Sequence, residues 1–266
     1  MAKKVLLLSI LASLALTACN KEANSGDSMG GNHGNNSIHL AKITTVDNHG
    51  DNKMSVRFDW SEDRLRHVYI IEEGDLKYEF TLDYEDNIIK RTFVYDYNEQ
   101  SGKMLECNYT SGKLLSITST NFDGINFQYI GNVPSYVTAT EKKLALTWLN
   151  GNVCRFTSYG EFDLTEIEYD SKYNPFNEIS KAFFPTWDKT INNPIRVVSD
   201  GKVTDIIYEI IGGYPYIATA SNGNRFTKVY YQYTDGSGVK PPTEDKCSFH
   251  KRKNRSIIPL PQAIMQ

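Results

Sequence analysis

The sequence predicts an all-β protein, an antiparallel meander of many short, hairpin-linked strands that forms a curled sheet or barrel-like body. Alternation is the first sign. Leu76, Tyr78, Phe80, Leu82 and Tyr84 alternate with Lys77, Glu79, Thr81 and Asp83, which places the apolar side chains on one face of a strand and the polar ones on the other. Turn chemistry is the second. Glu73-Gly74, Ser101-Gly102, Ser111-Gly112, Asp123-Gly124, Asn150-Gly151, Tyr159-Gly160, Asp200-Gly201, Asn222-Gly223 and Asp235-Gly236 punctuate the chain with pairs that take the backbone angles of tight hairpins. Their spacing is the third, because it leaves no room for the crossover helices that parallel strands need.

Taken in order, the chain opens on a segment that is removed rather than folded. Lys3 and Lys4 precede an apolar run from Val5 to Leu16, too short for a helix that crosses a bilayer core, which takes roughly 20 residues. The charged, apolar and small-residue order is that of a secretory signal over residues 1–18. Leu16-Thr17-Ala18-Cys19 resembles a bacterial lipobox, and the resemblance implies that Cys19 receives a diacylglyceryl group and becomes the mature N-terminus. The alternative is an ordinary signal followed by an incidental cysteine. Each buried methylene contributes about 0.8 kcal/mol, so two or more acyl chains hold a protein firmly where one holds it marginally. Asn20 follows the cysteine, which in lipoproteins of this kind implies the outer membrane rather than inner-membrane retention.

Cys19 and residues 20–40 read as a lipidated tether. Gly, Asn and Ser dominate, and there is too little apolar surface for this stretch to order itself. About 20 such residues reach roughly 25 Å. His33, His39 and His49 lie in or beside it at spacings that match no metal pattern, so they read as solvated. Asp27-Ser28-Met29 resembles a short acceptor for O-linked sugars in exported Bacteroidetes proteins.

Residues 41–239 form the β domain. Leu144, Leu146 and Trp148, and then Val229, Tyr231 and Tyr233, repeat the alternation. In the stretch FDLTEIEYD the phase slips between Leu164 and Ile167, which predicts a bulge near Thr165. Asn174-Pro175 and Asn193-Pro194 bracket an excursion with Phe176, Phe183, Phe184, Pro185 and Trp187, expected to hold about one helical turn and to cap one end of the core with its aromatics. Residues 240–266 form a basic tail with a net charge of +4, which leaves −9 on residues 19–239. The tail reads as solvated and disordered, with no nucleic-acid partner.

Chemistry-bearing motifs are sparse. No Gly-Lys pair is followed by Ser or Thr, and the sequence has no Gly-x-Ser-x-Gly, His-Glu-x-x-His or Cys-x-x-Cys, so no cofactor, metal site or catalytic residue is assigned. His67 reads as a surface residue on the polar side of its strand. Glu166 and Glu168 lie two apart on one strand face, roughly 6.5 to 7 Å apart, and are the only pair an inverting glycosidase reading could use. Cys107 and Cys154 are candidates for a disulfide, the alternative being two free thiols in strands. Seventeen tyrosines and twelve phenylalanines could pack as strand residues, or gather on one face to hold a sugar or apolar ligand.

FVYDYNEQSGKMLE and IEYDSKYNPFNEI, with the lipobox and the Gly/Asn-rich tether, resemble lipoproteins of gut Bacteroidetes whose domain of unknown function is described as a porin-like, curled antiparallel sheet. The resemblance covers about residues 41–235 and implies the fold but no activity. Within its motif, Tyr169 would close a core strand, Asp170 would accept from turn amides and Pro175 would end the pairing. The resulting expectation is a membrane-anchored envelope lipoprotein with a binding or structural role toward a glycan, lipid or protein ligand; the alternative is an envelope hydrolase of glycans. A water-facing body is expected over an integral barrel, because membrane-spanning strands run about 9 to 11 residues and face lipid with apolar side chains.

Overall fold

The computed structural model describes residues 38–238 apart from 49–52, 121, 140–141, 151, 160–163, 184–191, 200 and 224. Sixteen strands follow one another: β1 Leu40–Asp47, β2 Lys53–Ser61, β3 Arg64–Glu72, β4 Asp75–Glu85, β5 Ile88–Asp96, β6 Ser101–Thr110, β7 Lys113–Ser119, β8 Phe122–Ile130, β9 Val133–Ala139, β10 Lys142–Leu149, β11 Asn152–Tyr159, β12 Leu164–Tyr173, β13 Asn192–Ser199, β14 Lys202–Ile211, β15 Tyr214–Asn222 and β16 Arg225–Tyr233. Each pairs antiparallel with its sequence neighbours, and β1 pairs with β16, so the meander closes into a barrel. Closure leaves no edge strand. Up-and-down order places the start of β1, the end of β16 and every even-to-odd hairpin at one end, here called the terminal end. The odd-to-even connections lie at the far end.

The wall has an apolar inside and a charged outside. Val56, Phe58, Val68, Ile70, Phe80, Leu82, Val94, Ile117, Phe127, Val137, Leu146, Phe156, Ile167, Val197, Ile206 and Val229 all belong to one continuous buried cluster. A round barrel of sixteen strands would enclose a water-filled lumen. An apolar interior with no water to solvate it requires opposite walls to approach to about 10 Å, the spacing of packed sheets. Outside, cross-strand ion pairs join Arg91 to Asp83, Arg155 to Glu166, and Arg196 to Glu168 and Asp205. Buried Val, Leu, Ile and Phe each contribute about 1.5 to 3 kcal/mol, whereas exposed pairs contribute little, so the interior holds the fold.

A repeat unit governs the terminal end. Where an even strand returns into an odd one the register slips by one residue, at Asp59/Trp60, Asp83/Tyr84, Asn108/Tyr109, Gln128/Tyr129, Thr147/Trp148, Glu168/Tyr169 and Glu209/Ile210. An aromatic on the following strand then donates to the carbonyl just before the bulged residue. Trp60 Nε1 donates to Leu40 O at 2.8 Å, Tyr84 OH to Leu65 O at 2.9 Å, Tyr129 OH to Leu114 O at 2.9 Å and Trp148 Nε1 to Pro134 O at 2.6 Å. Tyr169, Tyr208 and Tyr233 do the same toward Val153, Pro194 and Pro215, at 2.9, 3.1 and 2.7 Å. A bulge disrupts its ladder locally, and the ring buries its apolar body while its polar tip satisfies the carbonyl there. In sequence the unit reads as Trp or Tyr, four residues, then Leu, Ile, Val or Pro: Trp60 to Leu65, Tyr84 to Ile89, Tyr109 to Leu114, Tyr129 to Pro134 and Trp148 to Val153.

Tyr109 is the exception and locates the insertion. Its hydroxyl donates to Phe183 O at 3.0 Å, at the end of helix α1, Phe176–Phe183. The helix starts where chemistry permits. Asn174 Oδ1 accepts from the Phe176 N–H at 3.0 Å as an N-cap, Pro175 occupies the first turn and Glu178 favours the positive helix end. Ile179 and Phe183 lie one helical turn apart and are buried with Ser180 and Asn177, while the helix packs against β3 and β5. Two turns of helix therefore stand where one was expected, and Phe176 and Phe183 cap the terminal end of the core. Phe184 and Trp187 lie outside the described residues. As the Tyr-Asp-Asn-Pro motif implied, Asp170 accepts from the Lys172 and Asn193 N–H groups at 2.9 and 3.0 Å and closes the base of the excursion.

Three sequence expectations are corrected. No bulge forms near Thr165, because Leu164 faces outward and the pairing with β11 runs unbroken there; the slip at Glu168/Tyr169 comes from an extra residue, Ile195, on β13. Ser101-Gly102 and Asp123-Gly124 are strand residues, not turns. Gly102 lies under the Phe93 ring, leaving no space for a side chain, and Gly124 takes φ +83° beside a register slip against β7.

Candidate functional site

The outer wall gathers aromatics on one strip across β3 to β6. Register aligns Arg57, Tyr69, Glu79, Tyr95 and Gly102 in one row, and Asp59, His67, Thr81, Phe93 and Met104 in the next. The Arg57 guanidinium covers the Tyr69 ring at 4.1 Å, His67 lies beside Tyr69 with centroids 5.8 Å apart, and Tyr95 meets Tyr97 edge to face at 4.8 Å. Tyr97 OH donates to Glu79 Oε2 at 2.8 Å, and this bond raises the phenol pKa. His67 Nδ1 meets Thr81 Oγ1 at 3.2 Å and lies 3.6 Å from Glu79 Oε1. Phe93, Tyr97 and Met104 are exposed large side chains here. The strip therefore offers ring faces to solvent beside a carboxylate, an imidazole and a guanidinium held by one another. Its Tyr95–Tyr97 limb lies toward the far end.

The interior holds a different cluster. His39 was expected to be solvated in the tether; it is buried at the mouth of the terminal end. Its ring stacks on Trp60, 4.3 Å between centroids and 11° from parallel, with Nδ1 2.5 Å from Glu178 Oε2 and Nε2 2.8 Å from Asp63 Oδ1. The backbone locks it too: His39 N–H donates to Thr234 Oγ1 and His39 O accepts from Thr234 N–H, at 3.0 and 2.9 Å. Burial opposes charge on this imidazole, but the hydrogen bonds and charges of Asp63 and Glu178 together outweigh it and hold the pKa above the ordinary value. The histidine thus joins the chain entry, the β2–β3 turn and α1 through one cation. Its recognition required the partners at positions 63 and 178, which no local pattern connects.

Glu166 and Glu168 share a strand face as expected, but that face is flat and solvated. Arg155 pairs with Glu166 at 2.5 Å and Arg196 lies 3.9 Å from Glu168. Nothing around them supplies the burial that raises a catalytic acid. Trp60 and Trp148 pack against the core and serve the bulges rather than a ligand face. His67 faces outward, in agreement with its parity. Cys107 and Cys154 are both free. They belong to the non-adjacent strands β6 and β11. Cys107 faces the core, where burial pushes its thiol up to about 12, whereas Cys154 occupies a bulge with Sγ 3.4 Å from Thr147 O. The candidate bridge is not formed. Cys19, His33 and His49 lie outside the described residues, as does the proposed tail. Among the described residues no cluster of His, Cys, Asp and Glu could hold a metal ion, and no helix is long and apolar enough to cross a membrane.

No family model and no curated protein matches the chain. Solved structures do match. A porin-like protein from Bacteroides uniformis is similar at 13% identity and TM-score 0.51, over 73% of this chain and 96% of that one. A porin-like protein from Bacteroides vulgatus is similar at 11% identity and TM-score 0.46, over 74% and 99%. At such identity the first likeness establishes the shared fold alone. This chain folds as an all-β, antiparallel, sixteen-stranded closed barrel of that architecture.

Proposed function

We propose that this protein is a non-enzymatic lipoprotein of the cell envelope, anchored in the outer membrane by acyl chains on Cys19 and presenting its barrel to water as a ligand-binding body. The polarity of the wall carries the reading. A membrane-spanning barrel turns an apolar band about 25 Å tall outward and keeps its lumen polar. Here the interior is one apolar cluster and the outside bears paired charges, so the bilayer is the wrong solvent for the barrel and a separate anchor is needed. The lipobox-like Leu16-Thr17-Ala18-Cys19 supplies one.

The strip of Tyr69, Phe93, Tyr95 and Tyr97 is the binding surface in this reading, since clustered exposed apolar side chains rimmed by polar groups mark interaction sites. Flat ring faces beside Glu79 and Arg57 suit a glycan, whose rings have apolar faces and hydroxyl edges. The hydrolase alternative loses its support, because its two carboxylates are solvated and paired to arginines.

Replacing residues 1–19 by a cleavable signal that leaves no cysteine tests the anchor. The protein should move to the soluble envelope fraction, and retention against carbonate extraction would refute the reading. Glycan binding is tested by the melting temperature of the protein with soluble envelope and host polysaccharides. A rise that Tyr95→Ala and Tyr97→Ala abolish supports the strip.

A further inference from the structure

The two ends of the barrel differ in a way that the anchor and the strip do not use. Far-end connections carry charge: Glu72, Glu73 and Asp75 surround the β3–β4 turn, and Asp96 and Glu99 the β5–β6 turn. At the terminal end, three hairpins have uncharged tips, Ile130-Gly131-Asn132-Val133, Leu149-Asn150-Gly151-Asn152 and Ile211-Gly212-Gly213-Tyr214. Each tip exposes a large aliphatic side chain: Ile130 is 68%, Leu149 62% and Ile211 60% solvent-accessible. These exceed every other exposed large apolar residue except Ile207 among those described. Lys113 adds a cation beside them, its Nζ donating to Gly131 O at 2.6 Å. Acidic residues at this end belong to other connections among the described residues: Glu62-Asp63 and Glu85-Asp86 at the β2–β3 and β4–β5 hairpins, Asp170 and Glu178 at the base and on the helix of the β12–β13 excursion, and Asp235 after β16.

We propose that these three uncharged hairpin tips of the terminal end, carrying Ile130, Leu149 and Ile211, rest in the interfacial layer of a phospholipid bilayer and fix the barrel's orientation. The occupant follows from where the chain leaves the barrel. Residues 1–37, with Cys19, join at Ile38 on this end, so acyl chains there bring these tips within tether reach of the membrane. Gly238, the last described residue, lies at the same end beside Gln232, and the sequence after it carries Lys240, Lys246, Lys251, Arg252, Lys253 and Arg255 against Glu244 and Asp245. Clustered basic residues next to an apolar contact suit an anionic lipid surface. The aromatic strip's Tyr95–Tyr97 limb then points away from the bilayer. This inference rests on the acyl anchor proposed above for proximity, not for the tips themselves.

Neutron reflectometry tests it, using the full mature acylated chain on a supported bilayer of phosphatidylethanolamine and phosphatidylglycerol. Wild-type protein density should begin at the headgroups. In Ile130→Glu/Leu149→Glu/Ile211→Glu a water layer should open, up to the tether reach of roughly 25 Å. The substituted side chains are already exposed, and an unchanged melting temperature confirms the fold. A water layer in the wild type, or the same profile in both proteins, overturns the proposal. So does a variant that alters only self-association in solution. If mass analysis finds Cys19 unmodified, the anchor reading fails, and protein added from solution still decides the tips: adsorption lost in the variant supports them, and equal or absent adsorption overturns them.

Discussion

Replacing His39 by glutamine isolates the cation at the barrel mouth. The wild-type imidazolium donates to Glu178 at 2.5 Å and to Asp63 at 2.8 Å, with side-chain exposures of 30% and 58% for the two carboxylates. A hydrogen bond to a charged group contributes about 1.5 to 3 kcal/mol. The Glu178 bond is shielded enough to sit near about 1.5 kcal/mol, while the exposed Asp63 bond is screened to about 0.5 kcal/mol. Loss of the stacked cation over Trp60 adds about 0.5 kcal/mol. The variant should therefore lose about 2.5 kcal/mol at pH 5.5, a fall of roughly 5 to 10 °C in melting temperature for a domain of this size. The pH dependence follows from the raised pKa. A group whose folded pKa exceeds its unfolded value stabilises fully below the unfolded value, about 6.5, and loses that contribution as pH rises through the folded value. The gap between wild type and His39→Gln should thus narrow from pH 5.5 to pH 8.5. Thermal unfolding followed by circular dichroism provides the comparison, and a gap equal at the two pH values would refute the reasoning.

Other expectations test the bulge and core assignments. Tyr129→Phe orphans the Leu114 carbonyl and should cost about 1 to 2 kcal/mol, measured by urea unfolding, without changing the m value. Tyr109→Phe should cost a similar amount but also loosen α1, read as faster proteolysis after Phe183 than in Tyr129→Phe. Ile179→Ala removes a fully buried side chain beneath the helix and should cost about 2 to 5 kcal/mol in the same assay. Native protein should expose Cys154 to a thiol reagent before Cys107, whose buried thiol stays protonated near neutral pH and reacts only on unfolding. Arg155→Ala should change stability by less than about 0.5 kcal/mol, because its pair with Glu166 is exposed.

The sequence by itself determined the class of fold, since alternation along Leu76 to Tyr84 and the Gly-containing turns depend only on neighbours a few residues apart. It also determined which face of each such strand turns inward, and so the outward placement of His67 and of Glu166 and Glu168. Legible in hindsight was the recurrence of Trp or Tyr five positions before an aliphatic or proline, because hairpins of one kind reuse one local solution. The glycines at 102 and 124 misled, because the same freedom from a side chain serves a turn, a bulge or a ring lying on the backbone. Only the tertiary structure decided closure of β1 onto β16, the docking of α1 across the mouth, and the burial of His39 between Asp63 and Glu178. It alone also gathered Tyr69, Phe93, Tyr95 and Tyr97 into one strip. Those outcomes join positions up to about two hundred residues apart, and a chain records no distance between such positions until its walls have packed on a common core.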